Sequence, residues 1–390
     1  MIENNSMEGK VTTIALTGGP CAGKSTCLSK LEQELTEKGY KVFVVEEMAT
    51  NVIKSGVSPL VVGLRDFQKM LMQLQVYRNK VYTDIANSLA VKTGKHVVII
   101  YDRGIPDCKG FITDELYDEL IKELGLDEIN VLDYYDAVFH LVTAADGAEE
   151  FYTCENNTAR TETPEEAIER DKACMQAWIG HPHLRVITNK NCTFEQKVDR
   201  LLNEVYALLG IPVPVEIERK FLIEKPNLKE LSKRFSCTTV EIVQTYLNEI
   251  EDGVERRIRQ RGINGDYTFY YTEKKKISSL SRTEKERKIS QDEYIRLLTE
   301  ADTSLHQIKK KRTSFVCDGT YYELDTYPFS DDRAILEIEF TSETESKHAK
   351  IPEGIKLLSD ITEDSRFKNR SLAETLSIPN ISIRDIVITD

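Results

Sequence analysis

Nine residues near the N-terminus constrain this chain more than any bulk property does. Gly18-Gly19-Pro20-Cys21-Ala22-Gly23-Lys24-Ser25-Thr26 fits G-x-x-x-x-G-K-[ST]; an apolar run, 11–16, precedes it, and a stretch with Leu28, Leu31 and Leu35 on one helical stripe follows. Strand, glycine turn and helix come in the order that lets backbone amides curl around phosphate groups, with the helix dipole adding to their pull. Lys24 is placed to reach terminal phosphates, and the Ser25 hydroxyl to ligate Mg²⁺. All nine residues are candidate nucleotide-binding positions.

Short apolar runs at 41–45, 97–101, 137–143 and 184–188 alternate with longer amphipathic stretches, and 194–209 reads as a closing helix. That alternation predicts an α/β domain, a parallel sheet with helices on both faces. Ligands of such sheets bind beyond the carboxyl ends of the strands. Two acidic features fall there. Glu46-Glu47 follows the second strand and offers a general base toward an acceptor hydroxyl, or a pair of solvated loop carboxylates. Asp102 ends the apolar run His96-Val97-Val98-Ile99-Ile100-Tyr101, where it would sit beside a nucleotide's magnesium or cap the next helix. The segment 149–178, polar and then helical, suits a mobile lid.

Two prolines in Gly210-Ile211-Pro212-Val213-Pro214 end the helical pattern. The expected domains are 1–210 and 216–390, with 211–215 as linker. Beyond the linker, period-two alternation dominates, with turn signals at Asn264-Gly265 and Asp318-Gly319 and helices expected near 227–235 and 291–301. Glu216, Glu218 and Lys220 share one strand face, with Ile217 and Phe221 on the other. Any one such strand is an amphipathic strand with its polar face in water. The pattern recurs, however, at Arg257 and Arg259, Lys274, Arg282, Glu284 and Glu286, Lys310 and Arg312, Glu323 and Asp325, and Glu337 and Glu339. The alternate positions Phe269, Tyr271, Leu324, Leu336, Ile338 and Phe340 are apolar. An antiparallel β-barrel of α+β type, charged within and apolar without, accounts for that inversion. A polyanion with divalent cations is the ligand it would suit. Within Lys309-Lys310-Lys311-Arg312, Lys310 is assigned inward because it shares parity with Arg312.

A net charge of −13 argues against a duplex nucleic-acid partner. Eight cysteines without a C-x-x-C pair predict reduced thiols, and the polar N-terminus and lack of a long apolar run predict a soluble, cytoplasmic chain with no transmembrane segment.

The glycine motif, the strand ending in Glu46-Glu47 and Tyr101-Asp102-Arg103-Gly104 together resemble the P-loop nucleoside-kinase and NadR-like ATPase group over about the first 210 residues. The resemblance implies that Glu46 or Glu47 orients the acceptor, that Asp102 and Arg103 contact the acceptor or the metal, and that lid arginines, here Arg160 or Arg170, stabilise the transferring phosphate. From about Val215 to Ala373 the chain resembles the CYTH, or triphosphate tunnel metalloenzyme, superfamily, on E-x-E-x-K at Glu216-Ile217-Glu218-Arg219-Lys220 and the K-x-R, L-D and E-I-E strands. That resemblance implies Mg²⁺ or Mn²⁺ on Glu216, Glu218, Glu337 and Glu339 with Asp325 in support. It also implies a triphosphate gripped by Lys220, Arg257, Arg259, Lys274, Arg282, Lys310 and Arg312. The expected activity is that of a phosphohydrolase, a triphosphatase or NTPase, or of a phosphotransferase, with ATP or GTP at the glycine loop. The same domain order also resembles a member associated with GTP and phosphoinositide binding. The alternative is therefore a non-catalytic sensor of nucleotide and of a phosphoinositide headgroup, a polyphosphate or another polyanion.

Overall fold

The apolar run ahead of the glycine motif forms strand β1 (Val11–Gly18) in the computed structural model, which describes residues 9–152, 163–190, 192–211, 217–250, 254–276, 282–340 and 346–380. The chain divides into two units, residues 1–127 with 131–215 and residues 128–130 with 216–390.

In the first unit β1 is the middle of five parallel strands, joined by β2 (Lys41–Val45), β3 (Val97–Asp102), β4 (Ala137–Leu141) and β5 (Leu184–Ile187) in the order β2-β3-β1-β4-β5. The strand order reverses around β1, whose carboxyl end delivers the glycine motif to the crevice where such sheets bind ligands. Ile14 and Leu16 enter a buried cluster with Leu31 and Leu35 of α1 (Lys24–Glu37). Burial of these side chains is worth about 1.5–3 kcal/mol each and is the main reason the helix holds. Thr13 and Thr17 turn to the opposite face, where Thr17 hydrogen-bonds Asp107 of the 3-10 turn Ile105–Phe111. On that side too, α4 (Leu64–Thr93) is tied down, with Thr83 and Asn79 bonding the hydroxyls of Tyr134 and Tyr135. The shorter α2 (Met48–Lys54), α3 (Pro59–Val62), α5 (Asp114–Glu123) and α6 (Glu128–Leu132) fill the connections. Thr163 and Thr193 open α7 (Pro164–Gln176) and α8 (Phe194–Leu208) with capping boxes to Glu166 and Gln196.

The second unit holds a nine-stranded antiparallel sheet. Its strands are β6 (Ile217–Glu224), β7 (Cys237–Leu247), β8 (Val254–Ile263), β9 (Asp266–Lys276), β10 (Arg282–Ile289), β11 (Ile308–Cys317), β12 (Thr320–Thr326), β13 (Arg333–Phe340) and β14 (Leu357–Asp360). They lie in the order β10-β9-β8-β7-β11-β12-β13-β6-β14. Asn264-Gly265 and Asp318-Gly319 make the β8–β9 and β11–β12 turns, all four residues at positive φ, as a tight hairpin of right-twisted strands demands. Residues opposed across a ladder share a face, so the pairs Glu218 with Glu339, Lys220 with Glu337, Glu337 with Glu323, and Asp325 with Arg312 put the charges on one side. The alternate residues Phe221, Leu324, Leu336 and Ile338 pack outward with Leu231 of α9 (Leu228–Arg234), and Phe269 and Tyr271 pack with Tyr294 and Leu297 of α10 (Gln291–Leu298).

The charged face does not run the full length of the strands. Leu222, Ile308 and Ile335, each two residues along from a charged position, join Tyr246 and Tyr327 in an apolar cluster with Phe367 and with Leu372 of the helix Asn369–Thr375.

Candidate functional sites

The glycine motif of the first unit is shaped by its carbonyl oxygens. Thr143 Oγ1 donates to Pro20 O (2.5 Å), Ala144 N to Cys21 O (3.2 Å) and Lys197 Nζ to Ala22 O (3.2 Å). In a trans peptide the N–H points opposite the C=O. With three consecutive carbonyls held by these donors, the amides of Cys21, Ala22 and Gly23 turn the other way, and the loop they belong to lines a cavity of about 790 Å³. Such a concave row of N–H groups suits an anion. Cys21 to Thr26, Glu46, Glu47, Asp102, Asn189, Phe194 and Lys197 all line that cavity. Gly18 and Gly19 sit at the turn's entry, where Gly19 N donates to Asp171 Oδ1 (2.6 Å) and Lys24 Nζ to the carbonyls of Gly18 (3.2 Å) and Gly19 (3.4 Å).

Two acids and two cations meet beside the loop. Burial lowers Lys24, with Arg103 adding to it and Asp102 and Glu47 opposing. Burial raises Asp102, and Glu47 raises it further; its Oδ1 is buried and has no hydrogen-bond partner among the described residues. A carboxylate oxygen left without a hydrogen-bond donor fits Mg²⁺, with the Ser25 hydroxyl as a further ligand. Glu47 is otherwise engaged: against the effect of burial, Arg103 holds it below the usual carboxylate range, with Arg103 Nε donating to Glu47 Oε1 (2.7 Å) and Thr50 Oγ1 to Oε2 (2.6 Å). Arg103 also reaches Asp107 Oδ1 (3.3 Å). Glu46 is more exposed, and its carboxylate takes a long bond from Asn51 Nδ2 (3.4 Å). Arg160 lies outside the described residues. Arg170 bonds Gly110 O (2.7 Å) and lies over the Phe111 ring, so its guanidinium is anchored to the 3-10 turn. Lys197 and Asp171 escaped the sequence reading, and the only signal for them was their place in amphipathic helices.

In the second unit Arg312 is the hub. Its guanidinium donates to Asp325 Oδ1 (2.7 Å) and Oδ2 (2.6 Å), to Glu337 Oε2 (2.5 Å) and to Glu323. Lys220 Nζ lies 2.9 Å from Glu337 Oε1 and 2.8 Å from Glu218 Oε1, and Lys310 Nζ lies 2.5 Å from Asp325 Oδ2. Burial alone would raise Glu337, but Arg312, Lys220 and Lys310 outweigh it and hold the acid low. Glu218 and Glu323 go the opposite way: burial, then Glu337 and Glu339, raise Glu218, and burial with Glu339 and Glu337 pushes Glu323 up to about 7 despite Arg312.

A second group lies on the neighbouring strands. Arg259 donates to Glu286 Oε1 (2.8 Å), Thr272 Oγ1 to Glu286 Oε2 (2.8 Å), and Arg257 and Lys274 contribute to holding Glu286 low. Arg259 Nε is buried with no hydrogen-bond partner among the described residues, a donor left over for an anion. Glu216 lies outside the described residues, and of Arg282 only the strand position is described. Among the described residues no three acidic, His or Cys side chains already surround a metal point. The acids that raise one another nonetheless fit a divalent cation chemically, since a cation relieves that repulsion.

The sequence matches the AAA domain family over residues 13–197 and the CYTH domain family over residues 215–373. No curated protein matches. Among solved structures, NE1496 is described as an inorganic triphosphatase in one crystal structure (29% identity, covering 43% of this chain and 99% of that one, TM-score 0.31) and as a hypothetical protein in another (30% identity, 42% and 100%, TM-score 0.31). PH1819 from Pyrococcus horikoshii OT3 is 23% identical over 34% of this chain and 83% of that one, with a TM-score of 0.27. No helix of the described residues is long and apolar enough to cross a membrane.

Proposed function

The chain joins an AAA domain to a CYTH domain, and from that premise we propose that the first unit binds a nucleoside triphosphate, ATP or GTP, while the second binds a triphosphate and hydrolyses it with Mg²⁺ or Mn²⁺. The observation that carries the reading is Arg312 bridging carboxylates of β12 and β13 on a sheet face where Glu218 and Glu323 are pushed up by burial and then by their acidic neighbours. Such a face is internally neutralised at a cost, and a ligand carrying both signs relieves it. Glu216, Glu218, Glu337 and Glu339, with Asp325 behind them, would hold the cation. Lys220, Arg257, Arg259, Lys274, Arg282, Lys310 and Arg312 would take the phosphate oxygens and neutralise the charge that develops as the terminal phosphate leaves. The cation supplies further neutralisation of the triphosphate and polarises its phosphorus.

In the first unit the amides of the glycine loop and Lys24 would hold the phosphates, and Ser25 and Asp102 the Mg²⁺. Should the unit be a phosphotransferase, Glu46 is the freer of the two carboxylates to serve as base, Glu47 being bound by Arg103. The test is phosphate release from tripolyphosphate, ATP and GTP with Mg²⁺ or Mn²⁺, comparing wild type with Glu337→Gln, Glu216→Gln and Lys24→Ala. Release that survives both glutamate substitutions removes the second unit as the hydrolase. Binding of tripolyphosphate or a phosphoinositide headgroup without any release favours the sensor reading. Nucleotide affinity unchanged in Lys24→Ala would sink the first assignment.

A further inference from the structure

Lys197 stands in the first turn of α8 and is only 2% exposed. An ammonium there is unfavourable twice over, being removed from water and set at the positive end of a helix. No carboxylate lies within ion-pair distance of it among the described residues. Its three N–H bonds go to oxygens instead: Val142 O (2.7 Å), Asn189 Oδ1 (2.7 Å) and Ala22 O (3.2 Å). These acceptors follow β4, β5 and β1, so one side chain ties together three connections at the carboxyl edge of the sheet. Asn189 is fixed in turn, its amide donating to Thr143 O (2.7 Å) and Asp146 O (2.8 Å).

We propose that Lys197 is a positioning residue of the nucleotide site: it holds the Ala22 carbonyl back so that the Gly23 N–H faces the cavity, and it places a fixed positive charge behind the phosphate loop. The inference rests on the reading of that loop as a nucleotide site. It accounts for a buried ammonium with no carboxylate at ion-pair distance among the described residues, because the bound triphosphate, reached through the peptide unit of Ala22 and Gly23, adds to the negative charge that Asp171 supplies from further away. A lysine kept only for packing would find a carboxylate or extend to water.

The groups that face Lys197 are Cys27 of α1, Asp171 of α7, Cys192 and Lys24. Burial pushes Cys27 up to about 11, leaving it neutral, while Asp171 is held low and stays charged. Burial lowers Lys197 to about 8. The ammonium is therefore present at neutral pH and lost as pH rises through that value, so nucleotide affinity should weaken with rising pH.

The test is calorimetric titration of the full chain with Mg·ATP and Mg·GTP from about pH 6.5 to about pH 9.5, on wild type and Lys197→Met. The expected result is affinity roughly tenfold weaker in Lys197→Met at neutral pH, with the gap closing above about pH 8.5 as the wild type loses its charge. Equal affinities, or parallel pH profiles, overturn the proposal while leaving the nucleotide site standing. Wild type that binds neither nucleotide overturns the site itself and this proposal with it. Circular dichroism establishes that the variant folds; if it does not, a wild-type affinity flat across the same range is the overturning result.

Discussion

Lys310 Nζ and Asp325 Oδ2 stand 2.5 Å apart with both side chains shut off from water. Asp325 also accepts two bonds from Arg312, so the partners are not equivalent. Removing one side of a buried pair strands the other, at about 3–5 kcal/mol. Lys310→Met leaves Asp325 with Arg312 and should sit at the low end of that range. Asp325→Ala strands two cations and should sit at or above the high end. Urea unfolding of both variants, followed by far-ultraviolet circular dichroism, measures the order; equal losses would contradict it.

Glu323 gives the second unit a pH dependence of unusual sign. Its carboxyl is raised to about 7, first by burial and then by Glu339 and Glu337, above the roughly 4.3 of a free side chain. A group raised on folding contributes stability below its unfolded value and loses it as pH climbs through the folded one. The wild type should therefore lose on the order of 2–3 kcal/mol between about pH 4.5 and about pH 7.5. Glu323→Gln should flatten that slope, and added Mg²⁺ with tripolyphosphate should do the same in the wild type. Melting temperatures across the range decide it, and a slope unchanged by the substitution counts against the assignment.

Motifs whose meaning lies in consecutive residues were legible from the sequence. The β1 turn and α1 follow from Gly18 to Thr26 because strand, glycine and helix signals are local, and the charged face of the sheet follows from period-two parity carried through several strands. The hairpin turns at Asn264-Gly265 and Asp318-Gly319 were visible for the same reason. What escaped depends on chain partners far apart. Lys197 lies on a buried helix face and reads locally as one polar position in an amphipathic helix; only the return of α8 to the loop after β1 gives it a task. Asp171 bonds Gly19 across 152 residues. The apolar end of the charged face needs Leu372 of a C-terminal helix, and no alternation within the strands announces it. The long α4, Leu64–Thr93, went unassigned because its buried positions include Gln68, Gln75 and Asn79, which blur the apolar stripe.

Asp171 links the helix α7 to the glycine loop. Its Oδ1 accepts from Gly19 N (2.6 Å) and Thr143 N (3.1 Å), and His140 Nε2 lies 3.2 Å from Oδ2. Burial would raise the acid, but His140 and those amides hold it below the usual range. A depressed carboxylate gives stability above its unfolded pKa and loses it as pH falls, so the first unit should weaken on acidification below about pH 4. Asp171→Asn should cost about 1–3 kcal/mol at neutral pH and remove that acid limb. Thermal melts with the Trp178 emission as reporter, compared from about pH 3 to about pH 7, measure both effects. An acid limb that survives in the variant assigns it to another group.

Gly23, like Gly18 and Gly19, is a position where the loop has no room for a side chain. Its φ is +86°, a left-handed conformation that costs an L-residue roughly 1–2 kcal/mol, and a Cβ there would come within 2.5 Å of Phe194 Cε2. Phe194 opens α8, three residues before Lys197. An alanine at 23 therefore pushes on the helix that holds the Ala22 carbonyl, besides straining the loop that presents its own amide. Gly23→Ala should weaken Mg·ATP and Mg·GTP binding by well over tenfold, a loss of at least about 1.4 kcal/mol. Tripolyphosphate cleavage, assigned to the second unit, should be untouched. Adding Phe194→Ala removes the clash but not the positive φ, so it should recover part of the affinity and not all of it. Full recovery would show that the steric contact alone matters, and no recovery would put the whole effect in the backbone.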